Sequence, residues 1–503
     1  MKKHTIFLVF ILGVIFHVTA ATYGEGTNLT TSIKLKTPKK STRGDDRLDA
    51  VTVSIWIPEG VKVLRGVIIN PFYINLVERN DYHEVAKLWQ FGLIGANFFG
   101  VKGDDYGALL SAMKEFAAKS GHKEIEHLPM VLNGFSAGSG MLMKMAGMWP
   151  ERVIACGPVG LEVGPETPAT RKIPVITIFG EKDMHQMEKL TRKLPEQRKE
   201  GAMWAIAVNW GLRHEYANAN DLVWPFFDQV IRYRLQKDQT ALNGPVKLRD
   251  YREEDGWLGD ISTWDSSFAT IKSYKDYKGD KTKAAWFPNE YVARTWQAFI
   301  SRRPGLRITY PTSKAEEKTT LKTGTEFGII TESVTSTEAK EVDYYDGCHP
   351  LAKKNIGPNK GIVRGLESGV RALIALSTAG DKLIISKPVA VVVKPALKPR
   401  GPLEGKVSIV LKGALFQVRI VEGKPFKGEP VPLYLETAYE DGKWDGIIGK
   451  APSFNKVRHG GRVLNCEINT QHIDLTIEMD INGDQLAAGG RAVYEIGLKR
   501  ASN

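Results

Sequence analysis

The sequence predicts an α/β domain, a mostly parallel sheet flanked by helices, followed by two all-β sandwich-like domains. From about residue 31 to 236, apolar runs alternate with amphipathic stretches across short loops. That is the rhythm of parallel strands joined by right-handed helical crossovers. Runs such as Val67-Ile68-Ile69 and Val175-Ile176-Thr177-Ile178 are apolar without interruption, as strands covered on both faces are. From about Leu306 onward, helical periodicity gives way to short alternating strands.

A chain of 503 residues exceeds one domain of roughly 100–200 residues, so several units are expected. The first, 1–20, reads as a removable leader. Met1-Lys2-Lys3-His4 is basic, residues 6–16 are apolar apart from Gly13, and Val18-Thr19-Ala20 places small residues before a cleavage point. That run is shorter than the ~20 residues a spanning helix needs. The expectation is a secreted protein, extracellular or periplasmic, with no membrane partner after cleavage. The formal charge of +12 looks like a nucleic-acid signal, but ten Lys/Arg fall between positions 382 and 427 against Glu404 and Glu422 alone. This basic stretch surrounds a Pro-rich linker, and no helix-turn-helix, zinc-finger or RNP pattern accompanies it, so no nucleic-acid partner is expected.

The α/β domain is assigned to 21–238. Its strands are expected at 51–57, 66–70, 93–98, 129–133, 153–156, 175–179 and 204–208, and its helices at 81–90, 105–119, 139–148, 187–194 and 220–235. Residues 239–304 form a Trp/Tyr-rich accessory segment in which Asn289 is placed to cap a helix over 290–300. Its aromatics are expected to pack on the α/β domain, since exposing so many without a partner is unfavourable. The 90 residues from 305 to 394 suit a β-sandwich, 395–405 a stiff Pro/Lys linker, and 406–503 a C-terminal all-β domain. Asp480-Ile481-Asn482-Gly483-Asp484 opens like a calcium loop. Gln485 stands where that loop turns on Gly, and the closing Glu is missing, so a hairpin turn at Asn482-Gly483 is expected. Cys156, Cys348 and Cys466 are too few and too widely spaced for a disulfide framework or a Cys-based zinc site. They leave open a Cys348–Cys466 bridge or three unpaired thiols.

Chemistry concentrates in Gly134-Phe135-Ser136-Ala137-Gly138, between an expected strand and an expected helix. A turn this tight strains the serine backbone and lifts Oγ at the C-terminal edge of the sheet. A nucleophile there needs an acid and then a histidine later in the chain. Asp183 and His214 each follow an apolar strand, at the strand ends where open parallel sheets build their sites. His185 is a rival base, and Glu181 and Glu188 are rival acids. His185 would share its loop with Asp183, a poor arrangement for reaching Ser136 with the carboxylate behind it.

The elbow at Ser136, the acid loop in PVITIFGEKD and the histidine loop in GLRHE resemble the α/β-hydrolase fold family, over about 200 residues. The resemblance implies a serine esterase with a catalytic triad of Ser136, Asp183 and His214 and an acyl-enzyme intermediate. It also implies an oxyanion hole built from the Ala137 N–H and a second N–H after the third strand. Here that loop is Asn70-Pro71-Phe72-Tyr73. Pro71 has no N–H to give, so Phe72 or Tyr73 is the donor. Loss of activity towards acid is expected, as for any histidine base.

The stretch 305–394, with Val342-Asp343-Tyr344-Tyr345-Asp346-Gly347 and Leu366-Glu367-Ser368-Gly369, resembles the immunoglobulin-like modules of bacterial exported proteins, which implies a spacer. A catalytic domain with two trailing β-modules is similar to carbohydrate esterases and to exported polyester depolymerases. What this implies is a secreted serine carboxylic-ester hydrolase removing acyl or feruloyl groups from an extracellular polysaccharide. A polyester depolymerase is the alternative, and a serine peptidase stands third. A non-catalytic glycan-binding or adhesion protein is the reading of another class; the full set of assignable triad residues argues against it. Neither a metal nor an organic cofactor is implied, and the oligomeric state is left open.

Overall fold

The computed structural model describes residues 26–395 apart from 41–46, 102, 184, 237–238, 267, 313–319, 324–325, 335–340, 358 and 380–381, and beyond 406 the strands alone. The leader, all of the 395–405 linker but its first residue, and the expected turn at Asn482-Gly483 lie outside the described residues.

The first unit is built on eight strands: β1 (Gly26–Lys40), β2 (Arg47–Pro58), β3 (Gly66–Asn70), β4 (Phe91–Ala96), β5 (Met130–Phe135), β6 (Val153–Val159), β7 (Val175–Gly180) and β8 (Trp204–Asn209). They lie in the order β1-β2-β4-β3-β5-β6-β7-β8. The pairs β1–β2 and β2–β4 are antiparallel and the others parallel. Between them run α1 (Asn80–Trp89), α2 (Ala108–Ser120), α3 (Ala137–Met148), the short α4 (Pro168–Arg171), α5 (Gln186–Lys199) and α6 (Asn220–Arg234). Every residue of β3, β4, β6, β7 and β8 is buried, as continuous apolar runs demand.

Several elements differ from expectation, among them the ends of β2, β6 and α5. Strand β1 was not expected at all. It is an edge strand covered on one face, where Leu29, Thr31, Ile33 and Leu35 alternate with polar residues, so it lacks the uninterrupted run of its neighbours. The strand expected at 93–98 begins and ends two residues earlier, and Phe98 N–H donates to Pro71 O at 2.8 Å where the chain leaves the sheet. The helix expected from 105 starts at Ala108, because Gly103–Gly107 forms a 3-10 turn.

The aromatic segment closes the β8 edge. Strands β9 (Trp257–Asp260), β10 (Ile271–Ser273) and β11 (Ala284–Phe287) form a small antiparallel sheet, followed by α7 (Glu290–Phe299). Asn289 Oδ1 caps α7 by accepting Val292 N–H at 3.0 Å. Trp264, Trp286 and Trp296 are buried in the same core as the large sheet, and Trp296 Nε1 donates to Ile206 O on β8 at 2.8 Å.

Ten strands follow: β12 (Leu306–Tyr310), β13 (Thr320–Lys322), β14 (Phe327–Ser333), β15 (Asp343–Asp346), β16 (His349–Pro350), β17 (Ala352–Gly357), β18 (Lys360–Arg364), β19 (Gly369–Ala379), β20 (Lys382–Ile385) and β21 (Val389–Lys394). They form the sheets β12-β14-β18-β17 and β13-β21-β19-β15-β16, with β20 on β19. Ile308, Ile329 and Val363 of one sheet pack with Leu373 and Val391 of the other, as in a sandwich. Its second sheet has another buried face. Val370, Ala372, Ala390 and Val392 belong to the core of the α/β unit, and Ala390 N–H donates to Asp221 Oδ1 on α6 at 3.0 Å. Tyr291 of α7 donates to Asp346 Oδ1 at 2.6 Å and accepts Ala372 N–H at 2.7 Å, while Arg371 pairs with Asp346 at 2.7 Å. The module is thus cemented to the α/β unit, unlike the spacer that the resemblance implies. Cys348, like the buried Cys156, is a free thiol. Past 406 the strands make two four-stranded sheets. Among the described residues no helix is long and apolar enough to cross a membrane.

Candidate active site

Strand β5 ends at Phe135 and α3 begins at Ala137, so Ser136 alone makes the turn. Its backbone sits at φ 54°, ψ −126°, a region that costs a non-glycine residue about 1–3 kcal/mol. Bonds from β6 hold it there. Ser136 N–H donates to Val159 O at 2.9 Å. The fully buried Ser139 Oγ accepts Val159 N–H at 3.0 Å and lies 2.8 Å from Val159 O and 2.9 Å from Gly134 O. A Cβ on Gly134 would come within 2.7 Å of the Leu142 side chain and 2.9 Å of the Gly138 carbonyl carbon, so strand and helix approach only across glycine.

The acid and histidine loops leave β7 and β8 side by side. Lys182 N–H donates to Leu212 O at 2.9 Å and Glu181 N–H to Asn209 O at 3.2 Å. This pairing brings His214 Nδ1 to 2.8 Å from Asp183 Oδ2. The Asp183 side chain is fully buried while His214 is 37% exposed, so the ring links a dry carboxylate to the surface. Asp183 Oδ1 is buried with no hydrogen-bond partner. Among the described residues the imidazole is therefore the one group that compensates this carboxylate.

The rival residues are placed elsewhere. His185 is exposed at the start of α5 with φ 59°. Glu181 pins the loop instead, accepting Gly211 N–H at 3.0 Å and pairing with Arg302 at 3.1 Å. Glu188 is exposed in the first turn of α5. His214 lies against the elbow, its ring centroid 4.8 Å from that of Phe135. A Cβ on Gly160, next to the Val159 that holds Ser136, would come within 3.1 Å of His214 Cε1. Ser136 Oγ and His214 share no hydrogen bond among the described residues; such contacts often tighten only once substrate is bound.

Ala137 N–H opens α3, where helix N–H groups lack intrahelical acceptors. The loop after β3 packs beside it, with Phe72 Cβ 3.1 Å from where a Gly138 Cβ would stand. Phe72 N–H donates to Asn70 Oδ1 at 3.1 Å. The Tyr73 N–H has no bond among the described residues, which leaves it the unspent one of the two expected donors. Phe72, Tyr73 and Phe99 expose their rings nearby, with Phe72 and Phe99 5.5 Å apart between centroids.

Sequence reasoning missed a cavity of about 310 Å³ adjoining the elbow. Asn70, Phe72 and Tyr73 line it from the loop after β3, Phe135 from the elbow and Tyr216 from the histidine loop. Leu76 and Arg79 complete it from the approach to α1, and Tyr82 from the first turn of that helix. No motif marks these last three, and a cluster of aromatics just after β3 was the one available signal. Tyr216 donates to Asn220 Oδ1 at 2.7 Å and accepts Asn133 Nδ2–H at 3.0 Å, with Tyr82 Oη 3.2 Å away. Burial pushes the Tyr216 phenol up to about 12 and the Tyr82 phenol well above its ordinary value, so both stay protonated near neutrality. Among the described residues no group of three His, Cys, Asp or Glu is arranged to hold a metal ion.

No protein-family model matches the chain, and no curated protein matches it. Solved structures are similar to parts of it. An S-formylglutathione hydrolase from Agrobacterium tumefaciens is 14% identical over 39% of this chain and 92% of its own, with a TM-score of 0.29. A mutant feruloyl esterase module from Clostridium thermocellum complexed with sinapinate is 10% identical over 41% of this chain and 90% of its own, with a TM-score of 0.26. Fibronectin(III)-like modules of Clostridium thermocellum CbhA are 21% identical over 18% of this chain and 94% of theirs, with a TM-score of 0.16. Likeness this distant decides nothing about chemistry, which rests on the residues of the site.

Proposed function

We propose that the chain is a secreted serine carboxylic-ester hydrolase that removes acyl groups from an extracellular polysaccharide through an acyl-enzyme. The observation that carries the reading is the strained Ser136 at a strand–helix junction, flanked by an imidazole whose far nitrogen is held by a buried carboxylate. His214 Nε2 takes the Ser136 proton as Oγ attacks the ester carbonyl. Asp183 Oδ2 accepts the Nδ1–H bond and stabilises the imidazolium. The developing oxyanion is met by Ala137 N–H and Tyr73 N–H, donors of a kind worth on the order of 3–4 kcal/mol each. His214 then protonates the leaving alcohol and activates the water that frees the acid.

Export is supported by the leader pattern of residues 1–20. A polysaccharide is supported by the rings of Phe72, Tyr73 and Phe99, exposed where a sugar face can lie against them beside the serine. The test is hydrolysis of p-nitrophenyl acetate and butyrate by the purified mature protein beside Ser136→Ala. Turnover that vanishes in the variant is expected. Equal background rates for both would count against a general esterase and leave a peptidase, an enzyme strict for its polymer, or a glycan-binding protein, the last tested by pull-down.

A further inference from the structure

The cavity beside Ser136 holds one group that an acyl pocket for plain fatty chains has no use for. Arg79 lines it, at the entry to α1. Its Nε and Nη2 donate to Asp81 Oδ1 and Oδ2, both at 2.9 Å, with the Asp81 side chain buried and that of Arg79 33% exposed. The bidentate fork fixes the guanidinium plane and uses both carboxylate oxygens. Nη1 has no hydrogen-bond partner among the described residues, so its two N–H groups remain on a residue that lines the cavity. The other walls are largely aromatic: Phe72, Tyr73, Tyr82, Phe135 and Tyr216. At about 310 Å³ the space is at the small end for ligand pockets, enough for one substituted ring.

We infer that this cavity selects an aromatic acyl group bearing a neutral oxygen acceptor on its ring, which Arg79 Nη1 reads by hydrogen bonding. The inference rests on the esterase reading for the word acyl, while the recognition itself rests on the cavity. Neutrality of the acceptor follows from the pairing. Asp81 already balances the guanidinium charge, so the site offers a donor held by the fork rather than a spare cation. A carboxylate in the same place would face Asp81 across the fork and lose its hydration for little return. Discrimination against a ring without oxygen follows because such a ring covers the Nη1 donors and leaves them unpaired. Arg79 is thus a specificity-determining residue, and Asp81 positions it.

The experiment measures binding to the Ser136→Ala protein by calorimetry, so it reads the cavity whether or not the chain hydrolyses esters. The probes are methyl cinnamate, methyl 3,4-dimethoxycinnamate and methyl 4-carboxycinnamate. The dimethoxy ester is expected to bind about tenfold more tightly than the unsubstituted one, and the carboxylate no better than the unsubstituted one. In Arg79→Met/Asp81→Asn, which removes both charges together, the dimethoxy preference is expected to fall within twofold. Should that double variant fail to fold, the ranking of the three probes decides alone. Equal binding of the dimethoxy and unsubstituted esters overturns the inference, as does tightest binding of the carboxylate. Missing turnover with an intact probe ranking would sink the esterase reading and leave the pocket standing.

Discussion

Gly180 and Arg213 touch so closely that a Cβ on the glycine would overlap the carbonyl oxygen of the arginine. The acid strand and the histidine loop cross there, three residues before Asp183 and one before His214. Gly180→Ala therefore has to push the histidine loop away while the core of β7 stays packed. The expected result is a kcat about 100-fold lower on p-nitrophenyl butyrate, the scale of a 1 Å misplacement, with an unchanged far-UV circular dichroism spectrum.

Asp183→Asn replaces a carboxylate that has one partner among the described residues, His214. An amide N–H aimed at Nδ1 imposes the wrong tautomer on the ring, so kcat is expected to fall on the order of 10⁴-fold. KM should move little, because the lost interaction belongs to the transition state. Steady-state kinetics on the p-nitrophenyl esters separates the two parameters.

Tyr291 couples α7 to the sandwich through a single hydroxyl that donates to Asp346 and accepts from Ala372. Tyr291→Phe leaves both partners buried and short of a bond. A loss of about 1–3 kcal/mol is expected, read as a lower urea midpoint with an unchanged slope. Activity per folded molecule should be preserved.

Lys387 donates to Phe299 O in a largely desolvated setting, which pushes its ammonium down to about 8. A lysine whose folded pKa is depressed weakens the native state wherever the charge must be kept. The penalty is complete below about pH 8 and fades as pH rises towards the ordinary lysine value of 10.5, because in that window the unfolded chain binds more protons. Lys387→Met is expected to gain stability at pH 7, by at most on the order of 3 kcal/mol, with loss of the bond to Phe299 reducing the figure. Urea titrations at pH 7 and pH 10.5 should show the gain shrinking at the higher pH, and a constant gain would refute the assignment.

The parts of this molecule that were readable in the sequence are those whose physics is local. Uninterrupted apolar runs marked β3, β7 and β8, and Asn289 marked the start of α7 through its own cap. Gly134 and Gly138 bracket Ser136 because a side chain at either would meet Leu142 or Phe72. The pairing of Asp183 with His214, and its preference over His185 on the same loop, could be argued from chain order, but that the acid and histidine loops run together is a contact between distant segments. What was not readable depends on contacts between distant segments. Strand β1 alternates polar and apolar residues because one of its faces is uncovered. The Arg79–Asp81 fork has no spacing that sets it apart from an ordinary helix-start ion pair. The docking of β19 and β21 shows only as alanines and valines that any sandwich strand would carry.

That docking decides how this protein can be divided. In chains assembled from independent modules, each piece keeps its own interior and can be lost, duplicated or traded. Here Val370, Ala372, Ala390 and Val392 complete the interior of the α/β unit, and Ala390 is bonded to Asp221 on α6. That helix begins at Asn220, directly after the histidine loop. The smallest inheritable piece that keeps this interior whole therefore reaches to Lys394, and exchanging the sandwich for another would require rewriting α6 with it.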